Sequence, residues 1–231
     1  MLKWSDFDLL TFDSYGTLID WEKGIFSALK PLLAAHGKSL ADAELLELYG
    51  EFEAEAESGK YQTYREVLQS VIQAFGKRLS FTPTVEELNS LAESVPTWRP
   101  WPDTVAALSR LSRRYHLAII SNIDDDLFDV TRRYLPLRFD NVTTAQQAQC
   151  YKPALKIFRL ALGKAGIAPD RILHVGQSIY HDVQPAKFLG FSTVWVNRPS
   201  PRAGVGAVKQ AVEQPDLQVS DLETLAKHAN C

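Results

Sequence analysis

The amino-acid sequence predicts an α/β chain: a doubly wound parallel sheet whose first strand is followed by an all-helical insert before strands and helices alternate again. Three observations predict it. An apolar run ending in a carboxylate opens the chain. From Trp21 to about Val95 only helical periodicity is found. Beyond a proline-rich segment, apolar runs of strand length alternate with helical stripes to the C-terminus.

The opening run, Phe7 to Asp13, reads as a buried strand of the parallel type, and Ser14 to Thr17 as a glycine turn. Ile25, Leu29, Leu32 and Leu33 make the first helical stripe. Leu45, Leu48, Tyr49 and Phe52 make the second, and Tyr64, Val67, Leu68, Val71 and Phe75 the third. Thr84 to Glu87 starts a fourth helix with capping chemistry. The acidic residues from Glu44 to Glu57 read as a solvated helix face. Pro96, Pro100 and Pro102, three prolines in seven residues, mark an edge. Helices are then predicted over 103–114, 124–134, 153–166, 181–190 and 221–228. Strands are predicted over 117–121, 139–143, 172–176, 192–197 and near 217–219. Residues 1–20 and 97–231 are therefore expected to form the sheet domain, and 21–96 the helical insert.

The chain of 231 residues has 45% apolar and 23% charged residues, enough for a globular core. Lys plus Arg number 25 against 28 for Asp plus Glu, which lacks the basic excess of a nucleic-acid binder. No apolar run approaches the ~20 residues of a membrane span. Asp6 and Asp8 inside the first apolar stretch argue against a secretory leader. Cys150 and Cys231 make neither a disulfide framework nor a metal cluster. The expectation is a soluble, cytoplasmic protein acting on a small molecule, with no nucleic-acid or membrane partner; a homodimer is compatible with it.

Ligands of such sheets bind beyond the carboxyl ends of the strands. Asp13 stands there after the first strand, Ser121 and Asn122 after the second, and Gln177, Ser178 and Asp182 after a later one. Lys152 precedes the helix read from Pro153. A lone strand-end Asp is more often a cap or turn residue. Four polar segments converging on one edge argue for a site. Trp21, Trp98, Trp101 and Tyr15 could line a cleft, although packing is the commoner role for each. His174 reads as a satisfied core histidine, and His181 as a cap residue or a wall of the site.

These segments resemble the motifs of the haloacid dehalogenase-like hydrolase superfamily. Asp13-Ser14-Tyr15-Gly16-Thr17-Leu18 is similar to its nucleophile loop. Ser121-Asn122, Lys152-Pro153 and Gly176 to Asp182 are similar to its second, third and fourth motifs, in the right order and spacing. The resemblance covers essentially the whole chain. It implies a Rossmann-like core with a helical cap, Asp13 as covalent nucleophile and Lys152 as its charged partner. It further implies Thr17 and Ser121 as donors around the nucleophile, Asp182 in support, and Tyr15, Asn122, Gln177 and Ser178 at the substrate.

The departures from the motifs choose the subclass. The superfamily's phosphatases carry a second Asp where this chain has Tyr15, and Gly-Asp where it has Gly176-Gln177. Magnesium favours anionic oxygens, and an alcohol leaving group needs an acid, whereas halide needs none. The Asp-x-Tyr-Gly-Thr form resembles the L-2-haloacid dehalogenases, which work without metal and convert 2-haloacids to 2-hydroxy acids. The resemblance thus implies neither metal nor cofactor. It is incomplete, because Glu44 stands where those enzymes place a substrate-gripping Arg, and Phe158 where they place a Tyr. Arg65 and Lys60 are the nearest cations of the insert, and Arg65 is the candidate to bind substrate. A phosphatase using Asp13, Asp182 and water, and a protein that kept the scaffold without turnover, are the rival expectations.

Overall fold

In the computed structural model, which describes residues 2–209 and 211–231, six strands form a single parallel sheet. They are β1 (Leu9–Phe12), β2 (His116–Ser121), β3 (Asn141–Thr144), β4 (Ile172–Gly176), β5 (Ser192–Val196) and β6 (Leu217–Val219), in the order β3-β2-β1-β4-β5-β6. β1 and β4 are buried at every position, which is why they read as unbroken apolar runs instead of alternating ones. Phe12 is level with Ile119 on one side and Val175 on the other, so Asp13, Ser121 and Gln177 emerge from adjacent strands at one edge. The strand order reverses across β1, where open α/β sheets form their binding crevice.

Between β1 and β2 stand α1 (Trp21–Ala35), α2 (Asp42–Glu57), α3 (Tyr64–Leu79) and α4 (Val85–Ser94), with no strand among the described residues there. Thr63 and Thr84 close capping boxes with Glu66 and Glu87, the chemistry read from the sequence at Thr84. The insert is fastened to the sheet domain through polar contacts. The Tyr64 and Arg65 amides, at the start of α3, donate to Asp124 at 2.9 and 3.1 Å, and the Tyr151 hydroxyl donates to the Gln62 carbonyl at 2.8 Å. No helix among the described residues is long and apolar enough to cross a membrane.

The remaining helices are α5 (Thr104–Leu111), α6 (Asp125–Thr131), α7 (Ala145–Ala148), α8 (Leu155–Ala165), α9 (Gln184–Phe188) and α10 (Leu222–His228). α5 and α6 end three residues short of the sequence reading, and three others depart from it in ways that bear on the strand ends. α7 has no counterpart in it; it is a single turn begun by Thr144, whose hydroxyl accepts from the Gln147 amide at 3.1 Å. α8 starts two residues late, because the turn before it carries Lys152 inward. The helix expected from His181 is preceded by a wide π turn, Ile179–Val183, and α9 is short. That turn lets Asp182 face the strand ends, since Ser178 bonds both the His181 amide and the Asp182 carboxylate.

Gly24 shows how closely the insert meets the proline-rich edge. A Cβ placed on it would lie 2.5 Å from the ring of the buried Trp98. Alanine there gains about 1 kcal/mol of helix propensity, yet overpacking costs about 1–3 kcal/mol. Gly24→Ala is therefore expected to lower the melting temperature. Gly163→Ala in α8, where a Cβ meets nothing within 4 Å, is expected to raise it. A thermal melt of both variants that ranks them the other way would show that this contact does not limit the packing.

Candidate active site

Lys152 organises the strand ends. Its ammonium is 2% exposed and donates to Asp13 Oδ1 at 2.8 Å, Asp182 Oδ1 at 2.7 Å and the Ile120 carbonyl at 3.2 Å, which uses all three of its protons. Asp13 Oδ2 accepts from the Thr17 hydroxyl at 2.7 Å. Thr17 in turn accepts from the Gln177 amide at 2.8 Å, so its own proton is directed at Asp13. The Asp13 amide is tied to the Val175 carbonyl.

The electrostatics follow from burial and this sharing. Burial, and then Asp182, push the Asp13 carboxyl above the ordinary range, while Lys152 and Thr17 pull it down. Both of its oxygens accept hydrogen bonds, which is the pattern of a carboxylate, and we assign it that form. Burial alone would raise Asp182, but Lys152 and His174 outweigh it and hold the group well below the usual range. Burial opposes the Lys152 charge, and the two carboxylates restore it and raise its pKa. His174 bridges Thr11 at 2.8 Å and Asp182 at 3.3 Å, a core histidine with its partners, as expected. His181 reaches the cavity wall and is held neutral, its pKa lowered to about 4 by burial.

A narrow cavity, with only about 30 Å³ open to the centre of a water-sized sphere, lies above Asp13. Of the residues expected from the sequence, Asp13, Tyr15, Ser121, Asn122, Lys152, Gln177, Ser178 and Asp182 line it. Several do work other than that expected. Ser121 gives no hydrogen bond to Asp13; its Oγ is fully buried without a partner. Asn122 acts at one remove, its Oδ1 accepting from the Lys152 amide at 2.7 Å and so fixing the lysine's backbone. The Tyr15 hydroxyl is committed to Thr131 at 2.7 Å, and burial raises its pKa well above the ordinary value. Arg65 must be corrected: its guanidinium pairs with Asp126 on the surface and does not line the cavity. Lys60 is exposed. Trp21 lines the cavity, whereas Trp98 packs edge-on against Tyr15 and Trp101 donates to the Gly16 carbonyl.

Two groups escape the sequence reading. The acidic stretch of α2 is not wholly a solvated face, because Glu53 is 5% exposed and Glu57 is partly buried, and both line the cavity. Tyr49 and Tyr64 donate to Glu53 Oε1 at 3.0 and 2.7 Å. A signal is present: Leu45, Tyr49, Glu53 and Glu57 repeat every fourth residue, which puts both carboxyls on the apolar stripe. The second omission is Arg198, whose guanidinium is buried, donates twice to the Thr17 carbonyl and pairs with Asp103 at 2.8 Å. It holds the Asp13–Thr17 loop from behind, and nothing in its local sequence marks it.

The donors do not suit a divalent cation. Asp182 spends Oδ1 on Lys152 and Oδ2 on the Ser178 amide. Tyr15 and Gln177 occupy the two positions where carboxylates would be needed, and no His, Cys, Asp and Glu group placed to hold a metal occurs among the described residues.

Burial raises Glu53 to about 7. The folded state thus keeps a proton that the unfolded chain loses near 4.5, and the linkage sign is negative: stability falls as pH rises from about 4.5 to about 7 and is level above. Glu22, raised to about 7 by burial, acts in the same direction. His181 acts oppositely within this window, since below about 6.5 the unfolded imidazole takes up a proton that the folded one, lowered to about 4, does not, so its contribution grows as pH rises from about 4 to about 6.5. Asp182 also acts oppositely, its stabilisation being lost only as pH falls below the ordinary carboxylate range. Urea unfolding is expected to give a stability at about pH 5 higher than at about pH 7.5, each raised glutamate adding on the order of 2–3 kcal/mol and His181 offsetting about 2. Glu53→Gln should flatten the slope; an unchanged slope would place the carboxyl in a more polar setting than the one described.

Comparison with known proteins agrees with this geometry. The family model for a haloacid dehalogenase-like hydrolase matches residues 7–190. A curated (S)-2-haloacid dehalogenase, H-109, of Pseudomonas putida is 25% identical over 82% of this chain and 85% of its own. Haloacid dehalogenase-like hydrolase domain-containing protein 3 of Bos taurus is 27% identical over 89% of this chain and 87% of its own. Among solved structures, the L-2-haloacid dehalogenase from Xanthobacter autotrophicus superposes with a TM-score of 0.81, covering 97% of this chain and 98% of that one at 22% identity, which speaks to the fold. With its parallel sheet, its strand-end Asp13 and Lys152, and a family match over most of its length, the chain belongs to the haloacid dehalogenase-like hydrolases.

Proposed function

We propose that the protein is a metal-independent hydrolase in which Asp13 displaces halide from a small halogenated substrate, of the kind that the (S)-2-haloacid dehalogenases among its relatives are named for. In this reading residues 1–20 and 97–231 form the catalytic core and residues 21–96 a cap over it. The observation that carries the proposal is the Lys152 ammonium lodged between Asp13 and Asp182. It holds Asp13 as an anion at the floor of the cavity, and it takes the position from which two carboxylates would otherwise call for a metal. Thr17 fixes the other Asp13 oxygen, so the attacking carboxylate is preset in its rotamer.

An Asp13 oxygen attacks the carbon that bears halogen, a C–O bond forms, and the C–X bond breaks with its electron pair on halide. Inversion at that carbon is the stereochemical consequence. Water then adds to the Asp13 carbonyl carbon, the acyl C–O bond breaks, and alcohol leaves with what was an oxygen of Asp13. Halide needs no protonation on departure, which suits a site where Tyr15 stands in place of an acid. Asp182 supports the reaction through Lys152.

Halide release from chloro-, bromo- and fluoroacetate, run beside p-nitrophenyl phosphate with and without magnesium, tests the reaction. Activity is expected to survive EDTA. Asp13→Asn is expected to lose on the order of 10⁴-fold or more in kcat, as removal of a covalent nucleophile does. A single turnover in heavy-oxygen water should place protein oxygen in the first product molecule. Solvent oxygen there would mean direct attack by water, and activity restored only by magnesium would favour a phosphatase.

A further inference from the structure

Two histidines stand beside Asp182, and the fold uses them oppositely. His174, buried on β4, bonds Thr11 at 2.8 Å and Asp182 at 3.3 Å, so both of its ring nitrogens are taken. His181, on the π turn, is half-buried and lines the cavity with Asp13, Lys152 and Asp182. Its backbone amide donates to Ser178 Oγ at 3.0 Å, and neither ring nitrogen has a partner among the described residues. Tyr180 packs against the ring edge-on, with centres 4.9 Å apart, and gives it no hydrogen bond. The turn that carries Asp182 to the strand ends thus brings a free imidazole to the same place. Burial, opposed by Asp182 and helped by Lys152, lowers the pKa of that imidazole to about 4. At neutral pH it keeps one unshared pair open, and it is about as basic as an ordinary aspartate.

The second half of the proposed reaction needs such a pair. Water that adds to the Asp13 acyl carbon must give up a proton, and the other titratable groups lining the cavity are unsuited to take it. Asp13 is itself the ester at that stage. Asp182 gives Oδ1 to Lys152 and Oδ2 to the Ser178 amide, and it is held well below the usual carboxylate range. Lys152 is a cation with all three protons engaged. The hydroxyls of Tyr15 and Tyr64 are committed to Thr131 and Glu53. Burial raises Glu57 well above the ordinary value, so it arrives already protonated. Glu53, raised to about 7, has its Oε1 taken by two tyrosines. Burial and those hydroxyls alone set it, whereas both Lys152 and Asp182 act on His181. His181 is therefore the open base that shares the field of the ionic cluster.

We propose that His181 is the general base of the second step, taking a proton from the water that hydrolyses the Asp13 ester. The inference rests on the reading of Asp13 as nucleophile and deepens it. The cavity has room for a water molecule. Its oxygen bonds to Asp13 Cγ as one of its protons passes to the open nitrogen of His181. The bond from Cγ to the oxygen carrying the substrate carbon then breaks. That oxygen leaves with the electron pair and takes the proton back from the His181 imidazolium, which gives the alcohol. The second water proton remains on the new Asp13 carboxyl and is lost to solvent, which restores the carboxylate that Lys152 holds.

Trapping the ester tests this. His181→Phe keeps a ring against Tyr180 and removes the base, and the backbone amide that holds the turn is untouched. With chloroacetate, this variant is expected to release about one halide per protein at the wild-type rate, then to turn over about a hundredfold or more slowly. Mass spectrometry of the quenched protein should find a carboxymethyl group on the peptide carrying Asp13, absent when Asp13→Asn is added. Should His181→Phe fail to fold, His181→Gln, whose amide cannot take the proton, should give the same burst and adduct. Full turnover without adduct in a folded His181 variant, or loss of the halide burst itself, would overturn the inference. So would an ester that accumulates in Glu53→Gln and not in His181→Phe, which would move the base to α2. Each of these leaves the dehalogenase reading standing; a wild-type protein that releases no halide would overturn that reading and the inference with it.

Discussion

Everything at the site depends on placing one ammonium between two carboxylates in a space that excludes water. Each of these ions taken alone would lose several kcal/mol on burial, and removing one member of such a group commonly costs about 3–5 kcal/mol because the others are left uncompensated. The three must therefore arrive together, and they come from three segments: the end of β1, the turn before α8, and the π turn after β4. The backbone is fitted to that requirement. Gly176 has no Cβ because one would collide with the Asp182 carboxyl carbon, and no rearrangement short of moving the carboxylate would admit it.

A second layer turns this ionic cluster into a fixed geometry. His174 and Thr11 reach Asp182 through the sheet, Asn122 grips both backbone polar groups of Lys152, and Arg198 holds the loop at Thr17. None of these needs to touch a substrate. Their effect is to remove rotamer freedom from Asp13 and Lys152 before anything binds, which is the preorganisation that the proposed attack by Asp13 would draw on.

How much is legible from the sequence follows from the same physics. Buried parallel strands are uniformly apolar, and a carboxylate directly after such a run is conspicuous, so Asp13 can be placed from sequence along with the sheet and the helical insert; Lys152 and Asp182 lie several residues beyond any strand and are placed by their resemblance to the family motifs. Distances across the site cannot, because they depend on which segments become neighbours. Ser121 illustrates the limit, having the right position and no bond to Asp13. Arg65 illustrates another: a cation near aromatics in sequence, it turns to Asp126 at the surface. Glu53 and Glu57 are misread when charge along a helix is weighed without its phase. A fourfold repeat with Leu45 and Tyr49 shows which side of α2 they occupy, but only the facing Tyr64 makes that side a place where a carboxyl is held.

The floor and the ceiling of the cavity thus answer different questions. The floor, built by strand ends and their turns, carries the groups that the family motifs describe, and it determines what kind of displacement can occur. The ceiling comes from α2 and α3, and at roughly a quarter identity to the dehalogenases of Pseudomonas it is free to differ while the floor keeps its chemistry. Here it carries Glu53 and Glu57. Asp13, Asp182 and Lys152 already leave one net negative charge on the floor when all are ionised. Two ionised carboxyls above would add to it in a medium of low dielectric, where repulsion between neighbours is far larger than in water. The protein on its own relieves this by keeping protons on the ceiling, the state the raised pKa values of Glu53 and Glu57 describe.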